Sequence, residues 1–280
     1  MTLSQTLQRL EAAGSSQTRK TYARHGAGPK MFGVSFSFLG KLTKQIKRDH
    51  TLALELWASG WLDARLLATM IADPQQATAK LLDAWVTDCD NRGIAGALSN
   101  FAASSALAEA VAAKWCADAR EFVAVAGWDV VGLMAMNSTL LDAKFSALLK
   151  TIERDIHGAQ NHVRYSMNGA LIAIGVRNPK LEALTVAAAK RIGKVEVDHG
   201  DTSCKTPDAV AYIAKTKAHR AKKAALVATV VATSGCESRF VETQADACDY
   251  LRDARNSTRS RMSRLERTRI IVSGIADWPF

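Results

Sequence analysis

Several features that define other protein classes are missing from this 280-residue sequence. No run of about 18 apolar residues occurs, so no transmembrane helix is predicted. The five cysteines are scattered and form no CxxC pair, which favours reduced thiols over a disulfide framework. A P-loop, a GxGxxG segment before a strand and an HExxH motif are absent, which argues against nucleotide hydrolysis and zinc proteolysis. The N-terminal segment lacks a continuous apolar stretch, so we expect no secretory signal and a cytoplasmic protein.

Positive charge is concentrated towards the two ends of the chain, whose formal net charge is +10. Residues 1–50 contain nine Lys and Arg against two Asp and Glu, and residues 216–280 contain twelve against seven. Residues 51–150, in contrast, contain seven against eleven. Because neutralised phosphates release counterions, basic ends suit a polyanion that spans the molecule. The simpler alternative is that the basic excess only aids solubility.

Helical periodicity dominates the sequence, and alternating strand patterns are nearly absent. Residues 51–58 and 61–72 form one predicted helix pair, and residues 161–175 and 180–192 form another. Further helices are predicted at residues 75–87, 93–102, 106–118, 121–136 and 139–153. Paired helices with short connections, repeated roughly every 35–45 residues, predict an all-α solenoid of antiparallel helix pairs.

The C-terminal part of the chain changes in character. A loop is expected at residues 193–205, and Thr206-Pro207 is predicted to start a helix that runs to about residue 217. A last amphipathic helix is predicted at residues 218–233. We therefore expect a repeat domain over residues 1–235 and a basic, polar and partly disordered tail over residues 236–280. The tail is interpreted either as a nucleic-acid arm or as a C-terminus without a role.

An ordered series of short motifs resembles a known family. The motifs are Tyr22-Ala-Arg-His-Gly26, Phe32-Gly33-Val34, Leu39-Gly-Lys-Leu-Thr-Lys44, Val163-Arg164-Tyr-Ser-Met-Asn-Gly-Ala-Leu171 and Arg177-Asn178-Pro179. From residue 20 to about residue 225, the series is similar to the AlkD-type DNA alkylation repair family. The resemblance implies HEAT-like repeats with a concave, basic surface that holds duplex DNA. It also implies that active members release cationic alkylated purines, using a carboxylate to stabilise positive charge on the sugar and tryptophans beside the lesion.

The residues that carry this chemistry in the family are replaced in this sequence. In the register of the resemblance, Arg92 stands at the family's tryptophan and Gly96 at its carboxylate. Gly169 stands at the second tryptophan, and Ile172 stands at the arginine that follows it. The apolar positions of the family pattern are retained, whereas these four functional positions are all replaced. The resemblance therefore predicts a DNA-binding protein to which no catalytic residue is assigned.

Five side chains remain candidates for a relocated catalytic role. A register shift of one turn would give the carboxylate role to Asp88 or Asp90, which otherwise end one helix and cap the next. The loop carries Asp198, His199 and Asp201, which are candidates for proton transfer or phosphate contact. The alternative is a structured connection whose Asp and Thr side chains cap the next helix. The spacing matches no standard metal site, so we expect no metal and no cofactor.

Basic side chains near both ends and in the family-like stretch are the predicted DNA-binding residues. They are Lys41, Lys44, Arg164, Arg177, Lys205, Lys217, Arg220, Lys222 and Lys223. On an inner wall they would bracket one duplex, whereas on an outer wall they would form solvated faces. Helical spacing does not decide between the two, because the curvature of a solenoid is not written in its sequence.

The leading hypothesis is a monomeric protein that binds duplex or damaged DNA on a basic face, without membrane association. If the source is bacterial, we expect it to be nucleoid-associated. One alternative is an active alkylpurine DNA glycosylase with relocated carboxylates. The other is a protein-interaction scaffold without a nucleic-acid partner, since helical repeats commonly serve as scaffolds. Base release separates the first two hypotheses, and salt-dependent duplex affinity separates both from the third.

Overall fold

The computed structural model describes residues 1–233, which form thirteen α-helices and contain no strand. The helices are α1 (Leu3–Ala13), α2 (Ser16–Arg24), α3 (Phe36–Ile46), α4 (His50–Ala58), α5 (Leu62–Ile71), α6 (Ala79–Thr87), α7 (Arg92–Ala103), α8 (Ala108–Trp115), α9 (Glu121–Asn137), α10 (Asp142–Asp155), α11 (Asn161–Gly175), α12 (Pro179–Ile192) and α13 (Ala209–Thr233). Short 3-10 turns at Pro74–Gln76 and Ile156–Gly158 precede α6 and α11. The predicted all-α class is confirmed.

The chain divides into two units, Met1–His219 and Arg220–Phe280. The fold described below is that of the first unit. The predicted tail, residues 236–280, lies outside the described residues. The predicted domain boundary after residue 235 stays a prediction.

The helices of the first unit stack as pairs in two rows. In one row α3, α5, α7, α9 and α11 each pack against the next. In the other row α4, α6 and α8 pack against α5, α7 and α9, while α10 and α12 pack against each other and against α11. Each pair thus buries its apolar face mainly against its neighbours, as the prediction of a helical solenoid requires.

Helix α9 lies at the centre of this stack. Every residue from Val123 to Gly132 is buried, because α7, α8 and α11 surround the helix. A helix that is apolar all round is typical of such an enclosed position. Gly127 allows the end of α8 to approach closely, since a Cβ atom there would lie 2.4 Å from the backbone nitrogen of Cys116.

A buried carboxylate holds the irregular segment between α2 and α3. Asp63, in the first turn of α5, accepts the backbone N–H groups of Phe32 at 2.6 Å, Gly33 at 3.3 Å and Val34 at 2.6 Å. The hydroxyl of Tyr22 donates to the carbonyl of Val34 at 2.7 Å. Two of the motifs that carry the family resemblance, at Tyr22 and at Phe32-Gly33-Val34, therefore fix this connection.

The predicted start of the last helix was wrong by two to three residues. Helix α13 begins at Ala209, and Oδ1 of Asp208 accepts the N–H of Ala211 at 2.7 Å. The expected cap, Thr206, has its hydroxyl 3.0 Å from Nε2 of His199. Because this hydroxyl is engaged with the loop, the following aspartate caps the helix instead.

The two helices predicted at residues 206–217 and 218–233 are a single helix. Helix α13 continues from Ala209 to Thr233, and this stretch contains no Gly or Pro that would interrupt it. The segment Lys194–Val197 forms no strand and belongs to the irregular connection before α13. Among residues 1–233, no helix combines the length and apolarity that crossing a bilayer requires.

Candidate nucleic-acid interface

Planar and charged side chains meet where α7, α9 and α11 lie beside the connection of residues 193–208. Helix α7 begins at Arg92, whose guanidinium carbon lies 4.2 Å from the ring centroid of Tyr165 on α11. The imidazole of His199 stands at 89° to the same ring, with 5.4 Å between the ring centroids. We call this set the aromatic–arginine cluster. Its members are Arg92, Phe122, Asp129, His162, Tyr165 and His199.

A second ring pair extends the cluster to the first turns of α9 and α11. The rings of Phe122 and His162 lie 5.4 Å apart at 42°. Glu121 positions this histidine, because its Oε1 accepts the backbone N–H of His162 at 2.8 Å and lies 3.0 Å from Nδ1. Both rings are only half-buried, so each retains surface for a ligand.

Asp129 places a carboxyl group inside the protein on the α9 side of the cluster. Burial raises the pKa of this carboxyl, while Arg92 and the hydroxyl of Ser166 act in the opposite direction. Its Oδ2 atom has no hydrogen-bond partner within the part of the chain that the structure describes. Sequence reasoning missed Asp129. The signal was available, because it is the one charged residue between Phe122 and Asn137 of an apolar helix.

His199 carries little positive charge at neutral pH. Its partial burial is the main cause that lowers its pKa, and the neighbouring Arg92 and His162 lower it further. Asp198 acts in the opposite direction, with an effect smaller than those of burial and Arg92. The cluster therefore combines one permanent cation with an imidazole that is predominantly neutral at pH 7.

The connection of residues 193–208 is tied to α11 by side chains. Nδ2 of Asn161 donates to the carbonyl of Asp198, and Oδ1 of Asn161 accepts the N–H of Asp198, both at 2.8 Å. Nη1 of Arg164 donates to the carbonyl of Glu196 at 2.9 Å. The connection borders a cavity of about 450 Å³. Polar residues of its lining include Asn168, His199, Cys204, Lys205 and Asp208.

The two carboxylate candidates between α6 and α7 have different surroundings. Asp88 ends α6 and its Oδ2 accepts from Nε1 of Trp57 at 2.8 Å and from Nη2 of Arg65 at 3.0 Å. It therefore links α4 and α5 to the end of α6. Asp90 is exposed and accepts from Nδ2 of Asn91 at 2.8 Å. Asn91, rather than Asp90, caps α7.

The carboxylates of the connection face solvent. Oδ1 of Asp198 accepts the N–H of Gly200 at 2.8 Å, which closes a local turn. Asp201 is exposed. Of the five candidates for a relocated catalytic role, only His199 belongs to the aromatic–arginine cluster.

Four of the predicted DNA-binding lysines expose their side chains in the first unit. Lys41 and Lys44 lie on α3, and Lys205 lies in the connection before α13. Lys217 is also exposed and pairs with Glu182 at 2.6 Å. In the second unit Arg220 and Lys222 are exposed on α13, whereas the side chain of Lys223 is outside what the structure describes.

Arg177 directs its hydrogen bonds into the protein. Nη1 donates to the carbonyl of Ala135 at 2.8 Å, and Nη2 donates to the carbonyls of Ser138 and Leu140 at 3.0 and 2.9 Å. Nε lies 3.4 Å from Oδ1 of Asp142. This arginine closes the turn between α9 and α10, and we leave it out of the proposed interface. Arg164 is half-buried and tethers the neighbouring connection.

The positions that the resemblance marked lie around the cluster. Gly96 is buried in the turn of α7 that follows Arg92, and Ile172 is buried in α11. Gly169 lies one turn after Tyr165 and is partly exposed. A Cβ atom added to Gly169 would meet no heavy atom within 4 Å. This side of α11 therefore leaves open space beside the rings.

Within residues 1–233, no three His, Cys, Asp or Glu side chains come close enough together to hold a metal ion. Cys89, Cys116 and Cys204 are free thiols. Burial raises the pKa of the thiols of Cys89 and Cys116, which makes both poor nucleophiles.

Residues 6–213 match the family described as "DNA alkylation repair enzyme". The chain belongs to this family. An uncharacterized protein of Listeria innocua is 29% identical over 214 residues, which cover 74% of this chain and 94% of that protein. An uncharacterized protein of Listeria monocytogenes is 27% identical over the same shares.

A solved structure matches with a TM-score of 0.73 and 28% identity, over 78% of this chain and 95% of that chain. It is described as belonging to a new family of proteins related to the HEAT-like repeat DNA glycosylases with affinity for branched DNA structures. This match confirms the predicted HEAT-like repeat fold of the chain. It also confirms the resemblance found in the sequence.

Proposed function

We propose that this protein binds DNA at branched or distorted structures, as a monomer and without the carboxylate chemistry of the family's glycosylases. The observation that carries the proposal is the start of α7. Arg92 stands where the resemblance places a tryptophan, and Gly96 stands where it places the carboxylate. A carboxylate stabilises the positive charge that develops on a sugar as the glycosidic bond breaks, whereas a guanidinium opposes that charge and attracts phosphate.

Two further observations support DNA as the ligand. The solved relative has affinity for branched DNA structures and matches this chain over 95% of its own length. In this chain, Lys41, Lys44 and Lys205 are exposed, so each can contact a phosphate. Lys217, and Arg220, Lys222 and Lys223 of the second unit, remain proposed phosphate contacts.

The glycosylase alternative has less support from the geometry. Asp88 is engaged by Trp57 and Arg65, and the carboxylate of Asp129 is fully enclosed. Asp129 cannot face a sugar, and the carboxylate of Asp88, although its side chain is 44% exposed, is already engaged in those hydrogen bonds. No feature of residues 1–233 favours the scaffold alternative over DNA binding. An arginine that lies on an aromatic ring can contact a nucleic acid as well as a protein.

The test uses the full-length chain and three DNA substrates of equal length: a four-way junction, a three-way junction and a linear duplex. We expect tighter binding to both branched substrates, with an affinity that falls steeply as salt increases. The same samples, assembled on DNA that carries 7-methylguanine or 3-methyladenine, are expected to release no base above the spontaneous rate. Base release would establish the glycosylase alternative. The absence of salt-dependent binding would favour the scaffold alternative.

The basic residues of α3 offer a sharper version of this test. The double variant Lys41→Gln/Lys44→Gln is expected to reduce the slope of log affinity against log salt by about 2, because two phosphate contacts are lost. The matched control is Lys180→Gln/Lys190→Gln, which removes two exposed lysines from α12. Equal slopes for both double variants would mean that only net charge matters and that α3 is not part of the interface.

A further inference from the structure

We infer that the aromatic–arginine cluster is a stacking site for an unstacked nucleobase, of the kind that a DNA branch point, bulge or flap exposes. The inference rests on the proposed DNA binding and assigns the cluster its ligand. The inference assigns two tasks to different side chains. The exposed lysines contact the backbone, and the cluster recognises the interruption in base stacking.

The first argument is the exposure of the planar groups. The side chains of Arg92, Phe122, His162, Tyr165 and His199 all end in planar π systems, and all five residues are only half-buried. The stacked pair of Trp57 and Trp85 differs, because these rings lie 4.3 Å apart and are 3% and 4% exposed. That pair is core packing. A planar cluster left partly open to solvent suits a base, since every base offers a π face.

The second argument is the charge of the cluster. Arg92 supplies a permanent cation, and its guanidinium already lies over the face of Tyr165. Burial raises the pKa of Asp129, and the opposing effect of Arg92 shows that this buried carboxyl lies near the guanidinium on the protein side. Exposed Lys205 lines the same cavity as His199 and can meet a phosphate next to the bound base. A mixture of planar faces and cations is typical of sites for unpaired nucleotides.

The third argument is the space beside the rings. A Cβ atom added at Gly169, one turn after Tyr165, would meet no heavy atom of a neighbouring part of the protein within 4 Å. Asn161 and Arg164 hold the adjacent connection against α11, so the position of His199 is fixed before a ligand arrives. Within a continuous duplex the faces of the bases are covered by their neighbours. The cluster therefore selects DNA in which at least one base is unstacked.

The experiment uses a three-way junction with one unpaired base at its branch point. That base is 2-aminopurine, which is fluorescent. Phe122→Leu removes a ring and keeps apolar bulk. Arg92→Lys keeps the charge and removes the planar guanidinium. The control is Phe36→Leu, which removes a phenyl ring that is 57% exposed on α3, a helix that carries no member of the cluster. Circular dichroism and thermal melting establish that each full-length variant is folded, and Arg92→Lys decides the result if Phe122→Leu does not fold.

We expect the wild-type protein to quench the fluorescence of the unpaired base on binding. Each cluster variant is expected to lose most of this quenching and to bind the junction about tenfold more weakly, while affinity for a linear duplex changes less than twofold. Phe36→Leu is expected to behave as the wild type. Junction binding and quenching that survive in both Phe122→Leu and Arg92→Lys would overturn the inference, as would an equal loss on junction and duplex.

The failure of the inference and the failure of the proposed function give different results. If the wild-type protein binds the junction but does not quench the base, the stacking site is wrong and DNA binding stands. If the wild-type protein binds none of the substrates, both the proposed function and the stacking site are wrong.

Discussion

The carboxylate of Asp63 accepts the backbone N–H of Val34 at 2.6 Å, and it accepts two further N–H groups from Phe32 and Gly33. These bonds attach the irregular segment after α2 to the start of α5. Asp63 is fully buried, so its hydrogen bonds replace those that water would make. Asp63 thus satisfies three consecutive backbone N–H groups of the connection between α2 and α3.

The variant Asp63→Asn is expected to lower the free energy of unfolding by about 2–4 kcal/mol, because an amide group would face N–H donors with only one acceptor oxygen. Urea denaturation followed by tryptophan fluorescence measures the loss, and Trp61, stacked on Phe32 at 4.1 Å, reports on this region. Asp90→Asn, at an exposed carboxylate, is the control. Equal stability of the two variants would show that the carboxylate is dispensable.

Replacement of Arg177 is expected to reduce stability rather than DNA affinity. Lysine retains the positive charge of Arg177 but cannot reach the carbonyls of Ala135, Ser138 and Leu140 together. We expect Arg177→Lys to lower the free energy of unfolding by about 2–3 kcal/mol, as measured by chemical denaturation. A folded variant with normal stability and weakened DNA binding would instead show that Arg177 contacts DNA.

Two glycines provide a matched test of packing. A Cβ atom at Gly127 would lie 2.4 Å from the nitrogen of Cys116 and 2.7 Å from the carbonyl carbon of Trp115, so α8 would have to move. We expect Gly127→Ala to cost about 3 kcal/mol. Gly169→Ala meets no neighbouring atom and is expected to be neutral or to stabilise by up to about 1 kcal/mol. Thermal melting compares the two, and the reverse order would contradict the packing described for α9.

The stability of the protein is expected to fall on mild acidification because of His199. Its pKa is lowered in the folded state, chiefly by burial. As pH falls below about 6.5, the unfolded chain therefore binds a proton that the folded chain resists, and stability is lost through that window. His199→Gln is expected to show a flatter dependence of melting temperature between pH 7.5 and pH 5. His25→Gln, at the exposed end of α2, is the control. Parallel profiles for wild type and His199→Gln would refute this assignment.

The helical periodicity of apolar residues and the residues that end helices predicted most of the helices. Residues 161–175 coincide with α11, and the breaks predicted after residues 58 and 175 are both present. The start of α13 was not predictable from local signals. Both Thr206 and Asp208 are good caps, and the choice depends on the contact between Thr206 and His199 of the same connection. Local propensity decides whether a helix forms, whereas contacts outside the helix decide between competing caps.

The candidate site was harder to predict than the fold. Tyr165 lies in the family-like stretch, but its partners come from α7 and from the connection before α13, which no spacing rule brings together. Arg177 was predicted to bind DNA because it is basic, although the carbonyls it binds lie about 40 positions earlier in the chain. Charge is visible in a sequence, but the direction of a charged side chain is not.

Asn161 pairs with both the N–H and the carbonyl of Asp198, as a neighbouring strand would in a sheet. A side chain thus fixes the register of the chain up to Asp198. The turn at Gly200 and Asp201 follows the last of these pairings and is exposed. Length variation among homologues is therefore expected to accumulate at Gly200 and Asp201. Insertions before Asp198 would shift the chain past Asn161 and be removed by selection.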